Sequence, residues 1–273
     1  MANIQFTEII HEVETCAASL GIGLSLGFIG AGGSILTIPV FVYILKKDPL
    51  SASVYSMFVV GISSMAGAIQ SIYNKAVDFR AMLMFGIPSI AGVLIARRLI
   101  FPSIPAELFS IGSFMLSKNI LFMLCLALLM SLSALRMLNG SLDQNEAARV
   151  NEPEIPRLVL RGFFVGILAG LLGIGGGFLI VPALYFLVGL PVKRAIGTAL
   201  LIITFNALFS FLSSYQSVNP EWSLLIKFSG GTILGILVGT KLSGKMPGDR
   251  LKKIFAWCVL CMSFYIMYKQ FFI

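Results

Sequence analysis

Eight charge-poor apolar blocks follow one another along the chain and constrain its fold more than any other feature. The chain is 58% hydrophobic and 12% charged, whereas soluble domains average about 25% charged residues. Most of the blocks approach the ~20 residues that a membrane-crossing helix needs. The sequence therefore predicts an all-α, polytopic membrane protein embedded in a lipid bilayer. The blocks cover approximately residues 15–45, 50–73, 81–100, 119–138, 158–190, 195–215, 222–243 and 253–272.

The first and fifth blocks are too long for one straight crossing. A helix over residues 15–45 or 158–190 would reach roughly 45 to 50 Å, against a hydrocarbon core of about 30 Å. Each block carries a glycine-rich run that ends at a proline, at residues 27–39 and 170–182. We predict that these runs break both helices.

The two glycine-rich runs match each other at an offset of 143 residues, with four glycines and the closing prolines in register. Further along, Ser56 and Ser64 align with Thr198 and Asn206 at an offset of 142. The chain is therefore predicted to contain two homologous repeats, each of four to five helical segments with one glycine-broken helix.

A polar stretch between the fourth and fifth blocks is the natural linker between the repeats. The predicted boundaries are 1–138 for the first transmembrane repeat, 139–156 for the linker and 157–273 for the second repeat.

The number of crossings is open between eight and ten. If each long block crosses once, 12 of the 20 basic residues lie on one side; if each is a helical hairpin, the count is 13 against 7. Both counts place the amino terminus outside, because basic residues favour the inner side. Only the hairpin arrangement gives an inverted repeat, which many transporters use, and we favour it.

Glycine runs inside a bilayer leave backbone N–H groups that lipid cannot satisfy, so they persist where protein buries them or a ligand binds them. Near Ser34 and Gly177 a helix restarts, and its first N–H groups carry the positive end of the helix dipole. A small anion fits such groups. Polar side chains of the second and sixth blocks complete the site, and Asn206 is the strongest of them because a buried amide needs more partners than a hydroxyl. The predicted substrate-binding residues are Gly30, Gly32, Gly33, Ser34, Ser56, Gly173, Gly175, Gly176, Gly177, Thr198 and Asn206.

Each of these features also has a purely structural interpretation. Glycines spaced four apart let two helices approach closely, and we prefer that role for Gly162, Gly166 and Gly170 and for Gly231, Gly235 and Gly239. The hydroxyl groups are as well suited to hydrogen bonds within or between helices.

Several functions are disfavoured by what the sequence contains. No Asp or Glu lies in the middle of a block, whereas proton relays and cation sites usually need intramembrane carboxylates. The one histidine, His11, lies in the acidic amino-terminal segment, which argues against an enzyme and against a metal site. The basic residues lie between the blocks, as membrane topology predicts, and do not indicate nucleic-acid binding. No cofactor is predicted.

The two glycine-rich runs, Ser56 and Thr198 after them, and the Gly92/Ala96 and Gly235/Gly239 pairs resemble the TauE/SafE sulfite exporter family, also described as the toluene-sulfonate uptake permease family. The resemblance covers nearly the whole chain. It implies a multi-pass secondary transporter of the bacterial inner membrane that moves sulfite, sulfonates or other small anions.

We therefore predict a secondary transporter of small, probable sulfur-containing anions. The alternative is a non-transporting membrane assembly or scaffold subunit, which would use the same glycines for packing alone. The sequence leaves open the anion, the direction of transport, the coupling ion and the oligomeric state, a homo-oligomer included.

Overall fold

The computed structural model of the chain describes residues 2–29, 32–103, 107–111, 114–139, 155–172 and 177–272. These residues are almost entirely helical. The helices are α1 (Ala2–Ile29), α2 (Gly32–Pro39), α3 (Pro49–Tyr73), α4 (Phe79–Ser103), α5 (Lys118–Asn139), α6 (Ile155–Leu172), α7 (Gly177–Leu187), α8 (Val192–Ser214), α9 (Trp222–Lys245) and α10 (Gly248–Phe272).

Some segments depart from regular α-helix. A π-helical turn, Val40–Ile44, continues α2, and two more, Met82–Gly86 and Ala96–Ile100, lie within α4. A short antiparallel hairpin, β1 (Glu107–Ile111) and β2 (Phe114–Ser117), connects α4 to α5. The predicted all-α membrane fold is confirmed, with this hairpin as an addition that the apolar pattern did not indicate.

Four of the described helices are long and apolar enough to cross a bilayer: α3, α4, α8 with its following 3-10 turn (Val192–Ser217), and α9. Large apolar side chains on their outer faces are exposed, among them Leu83, Ile226 and Leu234. Contiguous apolar surface of this kind is stable in lipid and costly in water. The interior between the helices is filled by large side chains such as Phe41, Phe85 and Phe228, all of which are buried.

Capping residues set where two of the central helices begin. The Asp48 side chain accepts a hydrogen bond from Ser51 N (3.0 Å), and Pro49 occupies the first turn of α3. Partial burial raises the pKa of Asp48, but hydrogen bonds from Ser51 and neighbouring amides lower it further, and the net pKa lies below the ordinary value. Asp78 caps α4 in the same way, through Ala81 N (2.9 Å). These caps satisfy N–H groups that would otherwise lack partners.

Helices α1, α3 and α9 run in the same direction, because residue numbers rise together along their contacts. The close pairs are Gly23–Thr232, Gly27–Ile236, Tyr55–Glu221 and Gly67–Ile236.

Helices α4, α6 and α8 share the other direction by the same criterion. Their close pairs are Phe85–Gly162, Ser89–Gly166, Asp78–Thr198 and Ser89–Asn206. The two sets are antiparallel, since Gly61 contacts Leu208 on α8 and Gly67 contacts Leu200.

These directions decide between the two topologies. Because α1 and α3 run the same way, the chain between them has to return, and α2 makes that return. Helix α7 does the same between α6 and α8. The structure therefore has the hairpin arrangement, in which each long block folds back on itself. We call the face where α4 and α8 begin the Asp78 side and the face where α3 and α9 begin the Lys47 side.

Many contacts recur 143 residues later with the two halves of the chain exchanged. Gly23–Thr232 recurs as Gly166–Ser89, and Gly27–Ile236 recurs as Gly170–Val93.

The turns that follow α2 and α7 repeat in the same register. Lys47 N donates to Phe41 O (2.9 Å), as Leu190 N does to Leu184 O (3.1 Å). Lys46 (φ 52°) and Gly189 (φ 77°) both adopt the left-handed backbone conformation there.

Candidate functional site

The polar residues of the interior lie at three levels along the antiparallel pair of α3 and α8. Gly61 contacts Leu208 and Gly67 contacts Leu200, so the central level passes close to Ser63 on α3 and Asn206 on α8. Both of these side chains are buried.

Asn206 lies at the central level, fully buried. Its Nδ2 donates a hydrogen bond to Ser89 Oγ on α4 (2.8 Å), while its Oδ1 has no partner. The same contact is satisfied if the amide is turned over, because the Ser89 hydroxyl can donate as well as accept. In that orientation the NH2 group becomes the free one. Asn206 thus offers either an acceptor or a donor to a molecule at the centre of the membrane.

Thr198 lies toward the Asp78 side. It is buried, and its Oγ1 accepts a hydrogen bond from Asp78 N (2.8 Å). The counterpart on the Lys47 side is Tyr55, whose hydroxyl accepts from Glu221 N (3.1 Å) and donates to Asn219 O (3.3 Å). These contacts align Tyr55 with Thr198 at an offset of 143, so the alignment of Ser56 with Thr198 at 142 is wrong by one residue.

Ser56 lies toward the Lys47 side on α3. It is fully buried, and its hydroxyl has no partner. Ser64, near the central level on the same helix, is likewise buried with an unpaired hydroxyl. By contrast, Ser63 donates to Val59 O of its own helix (2.6 Å). An unpaired buried hydroxyl is costly, which makes Ser56 and Ser64 candidates for contact with a ligand.

The glycine-rich runs are described only in part. Gly30, Gly173, Gly175 and Gly176 lie outside the described residues. Gly32, Gly33 and Ser34 form the first turn of α2, and Gly177 is the first residue of α7.

The starts of α2 and α7 lie toward opposite faces of the membrane. The last turn of α1 contacts Thr240, whose hydroxyl bonds Gln70 near the end of α3. The last turn of α6 contacts Ala96, next to Arg97, which bonds Ser53 near the start of α3. Seventeen residues of α3 separate Ser53 from Gln70, which corresponds to about 25 Å.

The structure therefore does not bring Ser56, Thr198 and Asn206 together around both helix starts, as one shared central site would require. The physical reason is the inverted arrangement, which sends equivalent residues to mirrored levels unless they lie at the midpoint. Ser56 goes with the start of α7, Thr198 goes with the start of α2, and Asn206 lies between them.

The glycines for which we preferred a packing role have that role. A Cβ added at Gly166 would overlap the carbonyl oxygen of Ser89, and one at Gly235 would lie 2.5 Å from Leu20 O. Gly162, Gly170, Gly231 and Gly239 are equally close to the neighbouring helix. Only glycine permits these approaches.

Sequence reasoning missed Arg97, which belongs to the basic pair at the end of the third block. Its side chain is 4% exposed, whereas that of Arg98 is exposed. A basic pair at the end of an apolar block usually reaches the interface, and the sequence carries no signal that separates the two residues. Ser89 was missed as well, since nothing in its sequence context marks it as the partner of Asn206.

A cavity of about 160 Å³ opens on the Asp78 side. Asp78 belongs to its lining and also donates its backbone N–H to Thr198. The cavity thus adjoins the contact that closes this end of α8. It is lined by Asp78, Arg80, Ala81, Met84, Leu158, Val188 and Leu190.

Several helices with lipid-facing apolar surfaces and a polar interior define an integral membrane protein of the polytopic helical class. Its sequence matches the family described as "Sulfite exporter TauE/SafE" over residues 15–266. The chain belongs to this family of membrane transporters.

Its relatives include proteins named only as transporters. The chain is 28% identical to a "Probable membrane transporter protein" of Xylella fastidiosa over 256 residues, which cover 91% of this chain and 92% of that protein. It is 27% identical to "Probable membrane transporter protein YdhB" of Bacillus subtilis over 234 residues, 85% of this chain and 90% of that protein. No solved structure matches the chain.

Proposed function

We propose that this protein is a secondary transporter of small oxyanions, with sulfite and organosulfonates as the first candidates, in the inner membrane of a bacterium. The observation that carries the proposal is the inverted arrangement of the two halves around the buried Asn206–Ser89 pair. Inverted repeats around a site near the midplane allow one half to rock against the other and expose the site to each face in turn.

The contacts that recur at an offset of 143 support two homologous repeats, with bounds at 1–138 and 157–273. Gly23 and Gly166 occupy equivalent positions in the two interhelical crossings. The same holds for the hydrogen bonds of Tyr55 and Thr198. Independent helices would have no reason to reproduce such pairs in one register.

The polar groups of the interior favour an anion over a cation. Ser56 and Ser64 have unpaired hydroxyls, Asn206 carries an amide, and Arg97 carries a buried guanidinium. Hydroxyl, amide and guanidinium groups donate hydrogen bonds to oxyanions. The middle of every apolar block lacks the carboxylates that cation sites usually use.

Hydrogen bonds close both ends of the central helix pair. The Tyr55 hydroxyl joins the first half to Glu221 N, and the Lys47–Glu221 ion pair (2.5 Å) lies beside it. On the other side the Asp78–Thr198 bond joins the halves beside the 160 Å³ cavity. We assign these contacts as the ones that break in turn as the substrate moves, and the cavity as the vestibule of the Asp78 side.

Flux into proteoliposomes tests the proposal. Purified protein is reconstituted, and uptake of labelled sulfite, methanesulfonate and sulfate is compared with that of protein-free liposomes. We expect saturable uptake of at least one of these anions. Equal uptake in protein-free liposomes across the whole panel would contradict the proposal.

An Asn206→Leu variant tests the central residue. It keeps the side-chain volume but removes the amide, so we expect uptake to fall by about tenfold or more, since a lost buried partner costs about 1–3 kcal/mol. Ser63→Ala is the matched control, because Ser63 lies at the same level and bonds only its own helix. We expect that control to transport within about twofold of the wild type. Normal uptake by Asn206→Leu would remove the residue from the site.

The scaffold alternative makes a different prediction. A ligand raises thermal stability only by binding the native state. A scaffold subunit would therefore show neither flux nor stabilisation by any anion of the panel, whereas a transporter shows both.

A further inference from the structure

Arg97 is a buried cation in the interior of a membrane protein. It lies in the π-helical turn Ala96–Ile100 of α4 and is 4% exposed. Its Nη2 donates to Ser53 Oγ (3.0 Å), its guanidinium carbon lies 4.8 Å from the centre of the Phe101 ring, and its Nε has no partner. In the part of the chain that the structure describes, no carboxylate pairs with it.

Such a group is expensive to keep. A guanidinium stays protonated in proteins, and a buried charge without a counter-charge destabilises the fold by several kcal/mol. One hydroxyl and one aromatic ring satisfy only part of its five N–H donors. The unmet donors indicate that an anion completes the environment of Arg97 during function. π-helical turns inside α-helices are rare and occur frequently at functional sites.

The adjacent residue and the equivalent residue both lack this arrangement. Arg98 is exposed and reaches the membrane boundary in the ordinary way. At the offset of 143, the counterpart of Arg97 is Thr240, whose hydroxyl is satisfied by Ile236 O (2.8 Å) and by Gln70. The buried charge is therefore a property of one half only.

Ser56 adds a donor to the same place. Ser53 and Ser56 are three apart on α3, so their side chains are neighbours on one face of the helix, about 5–6 Å apart at Cβ. Ser53 bonds Arg97, and the fully buried hydroxyl of Ser56 has no partner. Two hydroxyls and the planar fork of a guanidinium thus face one small region near the start of α7.

We infer that Arg97, Ser53 and Ser56 form an oxyanion-binding site on the Lys47 side, which holds two oxygens of a sulfite or sulfonate group. The inference rests on the proposed function and names the residues that select its charge. Arginine is suited to this because its N–H groups bind two oxygens of one group in parallel. The site is separate from Asn206, which lies about 10 Å further along α3 and α8, and it gives the anion a binding step before or after the central one.

Two variants and one control test the site in proteoliposomes and in detergent. Arg97→Gln removes the charge, and we expect the half-saturating concentration of sulfite to rise about tenfold or more. Arg97→Lys keeps the charge but loses the fork, so its value should fall between those of Arg97→Gln and the wild type. Arg98→Gln, the exposed neighbour, should keep the wild-type value.

Ser56→Ala keeps the test decisive if the Arg97 variants do not fold. Because the Ser56 hydroxyl has no partner in the protein, its removal should leave the thermal stability without ligand unchanged. The stabilisation by sulfite and by methanesulfonate should then need about threefold to tenfold more anion.

The outcomes separate this site from the transport function. If the wild type transports none of the anions, the proposed function fails. If it transports them and both Arg97→Gln and Ser56→Ala keep the wild-type half-saturation, the site alone is refuted. A third arm adds phosphatidylglycerol to the detergent-purified protein. Loss of stabilisation by this lipid in Arg97→Gln, with no response of the wild type to sulfite or methanesulfonate, would show that Arg97 binds a lipid phosphate and would overturn the assignment.

Discussion

The crossing of α1 with α9 and the crossing of α6 with α4 are built alike, yet they end differently. In the first, Gly23 lies against Thr232; in the second, Gly166 lies against Ser89. One helical turn or two beyond these contacts, the first line ends at neutral Thr240 and the second at buried Arg97.

The difference separates packing from chemistry. Contact between two helix backbones leaves no room for a side chain, so the same glycines are needed in both crossings. No such restriction holds at the ends, where side chains reach into polar surroundings. The two halves thus share a frame for movement, while the charge that attracts a substrate belongs to one of them.

The largest expected effect concerns the sidedness of two pairs of loops, which breaks the comparison outright if it fails. In a background without native cysteines, Lys75→Cys and Lys193→Cys should react with an impermeant maleimide from one side of the membrane. Lys46→Cys and Asn219→Cys should react from the other side. The contact between Ala76 O and Gly197 and the Lys47–Glu221 ion pair place the members of each pair together.

A chain with eight single crossings gives the opposite labelling pattern. In it, residues 75 and 193 lie on different sides, as do residues 46 and 219. Accessibility in sealed vesicles and in permeabilised ones therefore has an all-or-none readout. The count of 13 basic residues against 7 further predicts that residues 75 and 193 lie on the inner side.

Much of this frame is predictable from the sequence, but helix direction is not. Block length and the duplicated glycine runs predict broken helices, because a span of more than 30 residues does not fit the bilayer. Direction depended on charge counts of 12 or 13 among 20, which are too similar to choose. It is fixed instead by contacts between distant residues, such as Gly61 with Leu208, and no local pattern reports them.

The second prediction concerns the glycines of the two crossings. Gly23→Ala and Gly166→Ala should each destabilise the protein by about 1–3 kcal/mol, since the new methyl group overlaps a backbone carbonyl that cannot move freely. Thermal unfolding in detergent and the yield of monodisperse protein measure the effect. If the crossings are equivalent, the two losses should agree within about 0.5 kcal/mol.

Two glycines on the same helices provide the control. A Cβ at Gly21 or Gly230 would meet nothing within 4 Å. Because alanine is a better helix former by about 1 kcal/mol, Gly21→Ala and Gly230→Ala should leave stability unchanged or raise it. A loss at all four positions would mean that helix propensity or insertion, and not the crossing, is what glycine serves.

The candidate site was less predictable than the frame for a physical reason. Ser56, Thr198 and Asn206 are polar residues in apolar blocks, and the sequence correctly marks them as unusual. All three are buried, but their levels depend on the inversion, which separates Ser56 from Thr198 by about 20 Å. Arg97 was invisible because its burial depends on the packing of α3 and α6 around α4, not on its own neighbours in sequence.

The smallest expected effect sharpens the comparison at the two ends of the central helix pair. Tyr55→Phe removes the acceptor of Glu221 N, and Thr198→Val removes the acceptor of Asp78 N. Each should cost about 0.5–1.5 kcal/mol, the net value of one hydrogen bond, measured by thermal unfolding. If these bonds break alternately during transport, the two variants should also shift the accessibility of an Asn206→Cys probe in opposite senses, toward the Lys47 side for Tyr55→Phe and toward the Asp78 side for Thr198→Val. A shift in the same sense for both would show that the bonds are static supports, and the exchange symmetry would then extend to packing but not to gating.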